Sequence, residues 1–484
     1  MSTAIANKKK FNTMFFIEMW ERFAFYGFQT LFMLFITQQK LPSEEAYMVF
    51  GIFTALLYTS PVIGGLLSDR VIGLKRGLLL GSIILILGYF ILSISVTMNM
   101  IIMALSLIAI GNGFFKPTPS AIVAKIYGQN ATQSKVAFTY FYMSINIGSI
   151  PALTITPLVA LYASYHLAFF LSVLGMIFGL SNYLFKRHIF DDINNEMDKA
   201  PFMITKWMII FGIVVLLIVL FNVILHYVNI SFYALLIFSV FIFCYLFLAN
   251  KSSPSKSVKF KFYVGIILLL ESIAFWVIYN QIFSTILMFA DQHVNLYLLG
   301  LQLSPGNLII AEGVAIIVLS PIIAKGYAIL KRKNMKLTAP FQYAIGQVIA
   351  GASMLVLVVA GIFFSYQGKV DLYWVVSALV CFAIGEILIS AFALSMVSLY
   401  FPKKMNAFCL GVFFLTVAIG GAVAGKLAAL FVATSHQLTL EKSLTIYVEY
   451  FLWLGLISVG LGLLYLLIAI VIRRQAHRVQ VDID

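Results

Sequence analysis

The chain is 484 residues long, 62% hydrophobic and only 10% charged, which excludes a soluble globular protein of this size. Its formal net charge of +14 could mean nucleic-acid binding, but the basic residues are distributed as in a membrane protein. Cys244, Cys381 and Cys409 fall singly in apolar segments, so neither a disulfide framework nor a metal site is expected.

Apolar runs of about 20 residues or more, long enough to cross a bilayer as helices, predict helices near 13–37, 47–68, 77–97, 99–125, 136–160 and 164–187. A polar, acidic stretch follows from Lys186 to Lys199, with Asp191, Asp192, Glu196 and Asp198. Two runs near 204–227 and 231–249 carry almost no charge and read as plain lipid-facing spans. After a basic segment, Lys251 to Lys261, a second set is expected near 262–290, 307–330, 338–364, 371–399, 405–434 and 443–472. The expected architecture is an all-α membrane protein with 14 transmembrane helices: a six-helix bundle at 1–190, a linker with two extra helices at 191–258, and a second six-helix bundle at 259–484.

Of the 32 Lys and Arg, Lys40, Lys369 and Lys442 fall on one side of these spans, Arg22, Lys116 and Lys426 fall within them, and the rest fall on the other side. The positive-inside rule then places both termini in the cytoplasm. Lys8-Lys9-Lys10 ahead of an apolar run mimics a signal peptide, but the run is too long and holds internal charges instead of a small-residue cleavage site. A retained first helix is expected.

That helix is the most informative stretch. Glu18, Glu21 and Arg22 lie at helical offsets that place them on one face. Charge at bilayer depth is costly unless paired or hydrated, so the three are expected to face an internal cavity. The two sets of six also echo each other. Ser60-Pro61-Val62-Ile63 ends the second helix ahead of Lys75-Arg76, and Ser320-Pro321-Ile322-Ile323 occupies the same place ahead of Lys331-Arg332-Lys333. Ala109-Ile110-Gly111 in the fourth helix matches Ala383-Ile384-Gly385 in the tenth. Two related bundles are a transporter design, with the substrate site between repeats near the midplane.

The segment from Gly64-Gly65 through Asp69-Arg70 to Lys75-Arg76 resembles the loop signature of the major facilitator superfamily, an acid at one helix end and bases at the next that clasp and release neighbouring helices as a gate. Glu18-x-x-Glu21-Arg22-Phe23-x-Phe25-Tyr26-Gly27 resembles the first-helix motif of proton-dependent oligopeptide transporters. Phe141-Tyr142-Met143-Ser144-Ile145-Asn146-Ile147-Gly148-Ser149 resembles that family's second signature, and Gly113-Phe114-Phe115-Lys116-Pro117 and Gly385-Glu386 match its fourth- and tenth-helix patterns. The resemblance covers nearly the whole chain, includes the two extra helices of the bacterial branch, and implies the major facilitator fold in a bacterial inner membrane.

The resemblance also implies roles. Glu18, Glu21, Arg22 and Lys116 would couple protons, since burial disfavours a charged carboxylate and a nearby cation favours it. Arg22 and Lys116 would hold a peptide's terminal carboxylate, and Glu386 its α-ammonium group. Asn146 would bond the peptide amide or else bridge helices. Tyr26, Tyr58 and Trp276 would line side-chain pockets or serve as ordinary core. Several positions depart from the family pattern: Gln29 stands where many members have Arg, Asn280 or Tyr279 where many have a seventh-helix Glu, Phe413 where many have Trp, and Phe25 where the first Tyr of a pair is usual. Gln29 and Asn280 would be a neutral replacement for a charged extracellular gate pair. Glu312, where the family tends to have Asn, would supply part of the missing carboxylate function, contact the peptide amino terminus, or sit at a wet cavity rim. Glu271 is a weaker candidate of the same kind.

The expected function is proton-coupled import of di- and tripeptides by alternating access; the alternative is a proton-coupled carrier of another anionic or zwitterionic solute, such as nitrate or a peptide-like metabolite. No phosphate-binding loop, metal-ligand spacing or Ser/His/Asp arrangement appears, so an enzyme, a metal or a cofactor other than the coupling proton is not expected. One chain holds every candidate residue, so a monomer, surrounded by lipid and without nucleic acid, is expected to suffice.

Overall fold

The computed structural model describes residues 2–39, 42–127, 131–193, 196–199, 204–251, 255–333, 337–435 and 438–481. Where water is absent, each backbone N–H and C=O needs an internal partner, and a helix supplies one within a single segment. The long apolar runs accordingly form helices: α1 (Ser2–Thr37), α2 (Ser43–Leu67), α3 (Leu74–Ser93), α4 (Met98–Phe115), α5 (Pro117–Tyr127), α6 (Ala131–Tyr162) and α7 (Tyr165–Lys186). The short α8 (Glu196–Lys199) precedes α9 (Ile204–His226) and α10 (Val228–Lys251). Then come α11 (Lys256–Gln281), α12 (Thr285–His293), α13 (Ile310–Arg332), α14 (Ala339–Phe363), α15 (Leu372–Tyr400), α16 (Asn406–Phe431) and α17 (Leu440–Val479). Thr97, Ser164 and Ser255 cap α4, α7 and α11 by accepting backbone N–H bonds at 3.3, 3.1 and 3.2 Å.

Among the described residues, 13 helical spans are long and apolar enough to cross a membrane. The first helix is long enough too, but its buried charges make it too polar to count among them. Two expected helices are broken. The span read as 99–125 divides at Lys116, because Pro117 has no N–H to continue the ladder and disfavours helical backbone before it. The span read as 262–290 divides between Gln281 and Thr285. Short ribbons also appear beyond α12 that the sequence did not suggest. β1 (Val294–Asn295) pairs in parallel with β4 (Val370–Asp371). β2 (Tyr297–Leu298) pairs antiparallel with β3 (Leu301–Gln302) across Leu299-Gly300, at φ 51° and 83°, the left-handed pair that a tight hairpin requires.

The chain forms two compact units, Met1–Leu41 with Ile52–Val228, and Pro42–Gly51 with Asn229–Asp484. Their boundaries differ from the three-part division expected from sequence: α9 groups with the first unit, α10 with the second, and the start of α2 with the second. In unit 1, α1 packs along α6 and α7, and α3 along α4. In unit 2, α14 packs along α15 and α17, and α11 along α16. The matching sequence motifs have matching structural roles. A Cβ on Gly111 would come 3.1 Å from the Gly81 carbonyl oxygen, so α3 and α4 cross backbone to backbone. A Cβ on Gly385 would come 2.8 Å from the Gly346 carbonyl oxygen, and α14 and α15 cross in the same way.

Candidate functional site

Each unit holds its own set of buried polar groups. In unit 1 the set starts from helical spacing along α1. Arg22 Nε lies 3.1 Å from Glu18 Oε1, and Arg22 Nη2 lies 2.6 Å from Glu21 Oε2. All three side chains are buried, Glu21 completely. The guanidinium also stands over the Phe25 ring, 5.5 Å from its centroid. Helix α6 approaches this turn because residue 148 is glycine: a Cβ there would collide with the Met19 carbonyl oxygen and come 3.1 Å from Arg22 Cβ.

Lys116 completes the set. It caps α4, its N–H bonded to the Asn112 carbonyl at 2.9 Å, and Asn112 ties α4 to α2 by donating to the Leu57 carbonyl at 3.0 Å. The Lys116 ammonium sits 4.8 Å from the centre of the Tyr58 ring and within electrostatic reach of Glu18, Glu21 and Arg22. Two acids are thus set against two bases. A snorkelling lysine would turn its ammonium outward, whereas this one faces charges on another helix. Tyr26 lies half-buried and edge-on to Phe25 at 5.6 Å, and Asn146 is half-buried on α6.

In unit 2, Glu312 in the first turn of α13 and Glu386 in α15 bring their carboxyl groups close to each other. Trp276 stacks edge-on against Tyr279 at 5.3 Å and Phe413 at 6.1 Å. Its indole N–H finds no acceptor among the described residues. Asn280 turns its amide back on its own helix, donating to the Trp276 carbonyl at 2.8 Å. Gln29, in unit 1, is buried.

The loop expected to act as a gate is held in place by the acidic stretch after α7. Asp69 and Arg70 lie exposed in a wide π-helical turn, Ser68–Ile72. Lys75 donates its ammonium to the Phe190 carbonyl at 3.1 Å and its backbone N–H to Asp198 at 3.1 Å; Arg76 donates to the Met197 carbonyl at 3.1 Å. Lys10, ahead of the α1 charges, pairs with Asp192 of the same stretch.

Sequence reasoning passed over several groups that the fold brings to these sites. Tyr142, exposed on α6, and Tyr89, fully buried on α3, lie within electrostatic reach of Glu18 and of Glu21 with Arg22 respectively. Gln281, one residue beyond Asn280, accepts from Thr285 at 2.6 Å and from Tyr450 at 3.0 Å, a buried bridge across the α11–α12 break. Tyr142 stood inside a quoted motif and Gln281 beside a named residue, but nothing local marked their partners.

Known proteins are similar to this chain over nearly its whole length. The profile of the POT family matches residues 75–445. The dipeptide and tripeptide permease B of Yersinia enterocolitica is 32% identical over 468 residues, covering 95% of this chain and 94% of that protein. The dipeptide and tripeptide permease A of Proteus mirabilis is 33% identical, covering 96% and 95%. Among solved structures, tetrameric PepTSo2 superposes with a TM-score of 0.85 at 27% identity, over 97% of this chain and 99% of that one. The peptide transporter POT in complex with sulfate superposes with a TM-score of 0.84 at 27% identity, over 96% and 95%.

Proposed function

This chain belongs to the POT family, and from that premise we infer that it imports di- and tripeptides together with protons by alternating access. The observation that carries the reading is the buried cluster of unit 1, Glu18 and Glu21 against Arg22 and Lys116, inside membrane-spanning helices. Nothing there is free to be charged alone. A peptide carboxylate that engages Arg22 or Lys116 draws a cation away from Glu18 or Glu21, and the acid so released takes up a proton. Proton and peptide therefore load together.

A dipeptide is a zwitterion, and the buried bases and acids suit its opposite ends. Arg22 and Lys116 take the terminal carboxylate. The Glu312–Glu386 carboxyl pair takes the α-ammonium group. Asn146 bonds the backbone amide, while Tyr26 and Tyr58, and Trp276 with Asn280 and Phe413, offer apolar walls with polar tips to variable side chains. A carrier of simple anions such as nitrate has no use for the carboxyl pair, which makes a zwitterion the better substrate. Gln29 with the loop residues Asp69, Arg70, Lys75 and Arg76 serves gating. The chain acts as a monomer in the bacterial inner membrane with both termini in the cytoplasm.

Uptake of a labelled dipeptide into proteoliposomes, with and without an inward proton gradient, tests this reading. Accumulation above equilibrium is expected only with the gradient, and is expected to be lost in Glu21→Gln. Gradient-independent equilibration by the wild type would refute coupling, and a folded protein that moves no peptide would refute the substrate.

A further inference from the structure

Glu271 belongs to neither set described above. It lies midway along α11 with its side chain 4% exposed, and neither carboxyl oxygen has a hydrogen-bond partner among the described residues. No ion pair there includes it.

Its surroundings are polar without being charged. Helix α11 packs against α12, α14, α15, α16 and α17. From α14 Tyr343 faces Glu271, from α17 Tyr465 does, and Tyr400 at the end of α15 faces Tyr343 in turn. From α16, Thr416 bonds the neighbouring Ser272 at 2.9 Å. The titratable groups of α16, Cys409 and Lys426, lie about 10 Å and about 15 Å along that helix from Thr416. Of the groups on α12, His293 is bonded to the Gly368 carbonyl and to Ser443, both at 2.9 Å, and Asp291 lies beyond the end of α11. Glu386 of α15 lies beside Glu312.

One turn from Tyr343, the Gln347 side-chain amide donates to Ser458 of α17 at 2.8 Å and the Gln347 backbone carbonyl accepts from Ser458 at 3.2 Å, while the side-chain oxygen Oε1 accepts nothing among the described residues. Hydroxyl and amide groups of α14 and α17 thus lie on the side of the acid, with the Tyr343 hydroxyl donating to the Met396 sulfur at 3.8 Å. A bare carboxylate buried there has no counter-charge and accepts no hydrogen bond as the side chains stand, which is costly. The neutral acid costs less to bury, and its O–H can be donated to a neighbouring oxygen.

We propose that Glu271 is a further proton-binding residue of the transport cycle, housed in unit 2 beside Tyr343 and Tyr465. The inference rests on proton-coupled peptide transport and adds a second place where the coupling proton is held.

Glu271→Gln keeps the shape and removes the titration. In proteoliposomes the variant is expected to lose gradient-driven accumulation far more than peptide counterflow, and its proton-to-peptide ratio, read from the reversal potential, is expected to fall by about one. Wild-type accumulation, ratio and pH profile in that variant would overturn the proposal while leaving coupled transport intact. A wild type that never accumulates peptide would overturn the coupling and this proposal with it. The wild-type protein supplies a second readout that needs no variant. A lipophilic carbodiimide, which attacks protonated carboxyl groups in apolar settings, is expected to label Glu271 in peptide mapping, with labelling that declines as pH rises. No label on Glu271 at any pH would also overturn the proposal.

Discussion

The two units cross their helices at matching glycines yet handle buried charge in opposite ways. In unit 1, Glu18 and Glu21 are matched by Arg22 and Lys116, so the cluster is neutral as it stands. In unit 2, Glu271, Glu312 and Glu386 enter no ion pair among the described residues. Lys426 of α16 is bonded to Asn229 of α10 at 3.1 Å. A balanced cluster changes state when a ligand competes for one of its members. An unbalanced set of acids changes state only by gaining a proton or a cationic group.

The most damaging change should be the one that unbalances unit 1. Arg22→Ala leaves Glu18 and Glu21 buried without their direct partner, which is expected to cost about 3–5 kcal/mol in stability and to abolish uptake. Thermal unfolding in detergent measures the first effect. A variant as stable as the wild type would break the claim that pairing balances this unit.

In unit 2 the expected effects are smaller, because no counter-charge is orphaned. Glu312→Gln removes one partner of the carboxyl pair and keeps the shape. Peptide affinity is expected to fall about tenfold, the value of one hydrogen bond to a charged group, and the pH dependence of binding to flatten because Gln takes up no proton. Competition binding across pH decides it; unchanged affinity and unchanged pH dependence would remove Glu312 from the substrate site.

The smallest effect sharpens the structural half of the comparison. Gly111→Ala and Gly385→Ala each place a methyl against a facing backbone carbonyl. Both are expected to destabilise by a similar amount, about 1–3 kcal/mol. Melting temperatures that fall for one and not the other would show that the crossings are not equivalent.

Much of this was legible in the amino-acid sequence, for reasons that are local. Apolar runs of spanning length identify membrane helices, because the bilayer leaves backbone groups no other partner. Glu18, Glu21 and Arg22 could be placed on one face because three and four residues along a helix is a fixed geometry. Gly111 and Gly385 could be matched by their neighbours in sequence. The break at Lys116 was signalled by Pro117, although the run was read as continuous.

What only the tertiary structure decided is which distant groups meet. Glu312 and Glu386 are 74 positions apart in number, and nothing near either marks the other. The same holds for Lys116 over Tyr58, for Lys75 and Arg76 on the carbonyls of Phe190 and Met197, and for Glu271 against Tyr343 and Tyr465. A helix sets which residues share its own face, but the crossing of two helices depends on the shape of both, down to a glycine that lets one backbone rest on another. Whether a buried acid ends beside a cation, another acid or a tyrosine follows from those crossings.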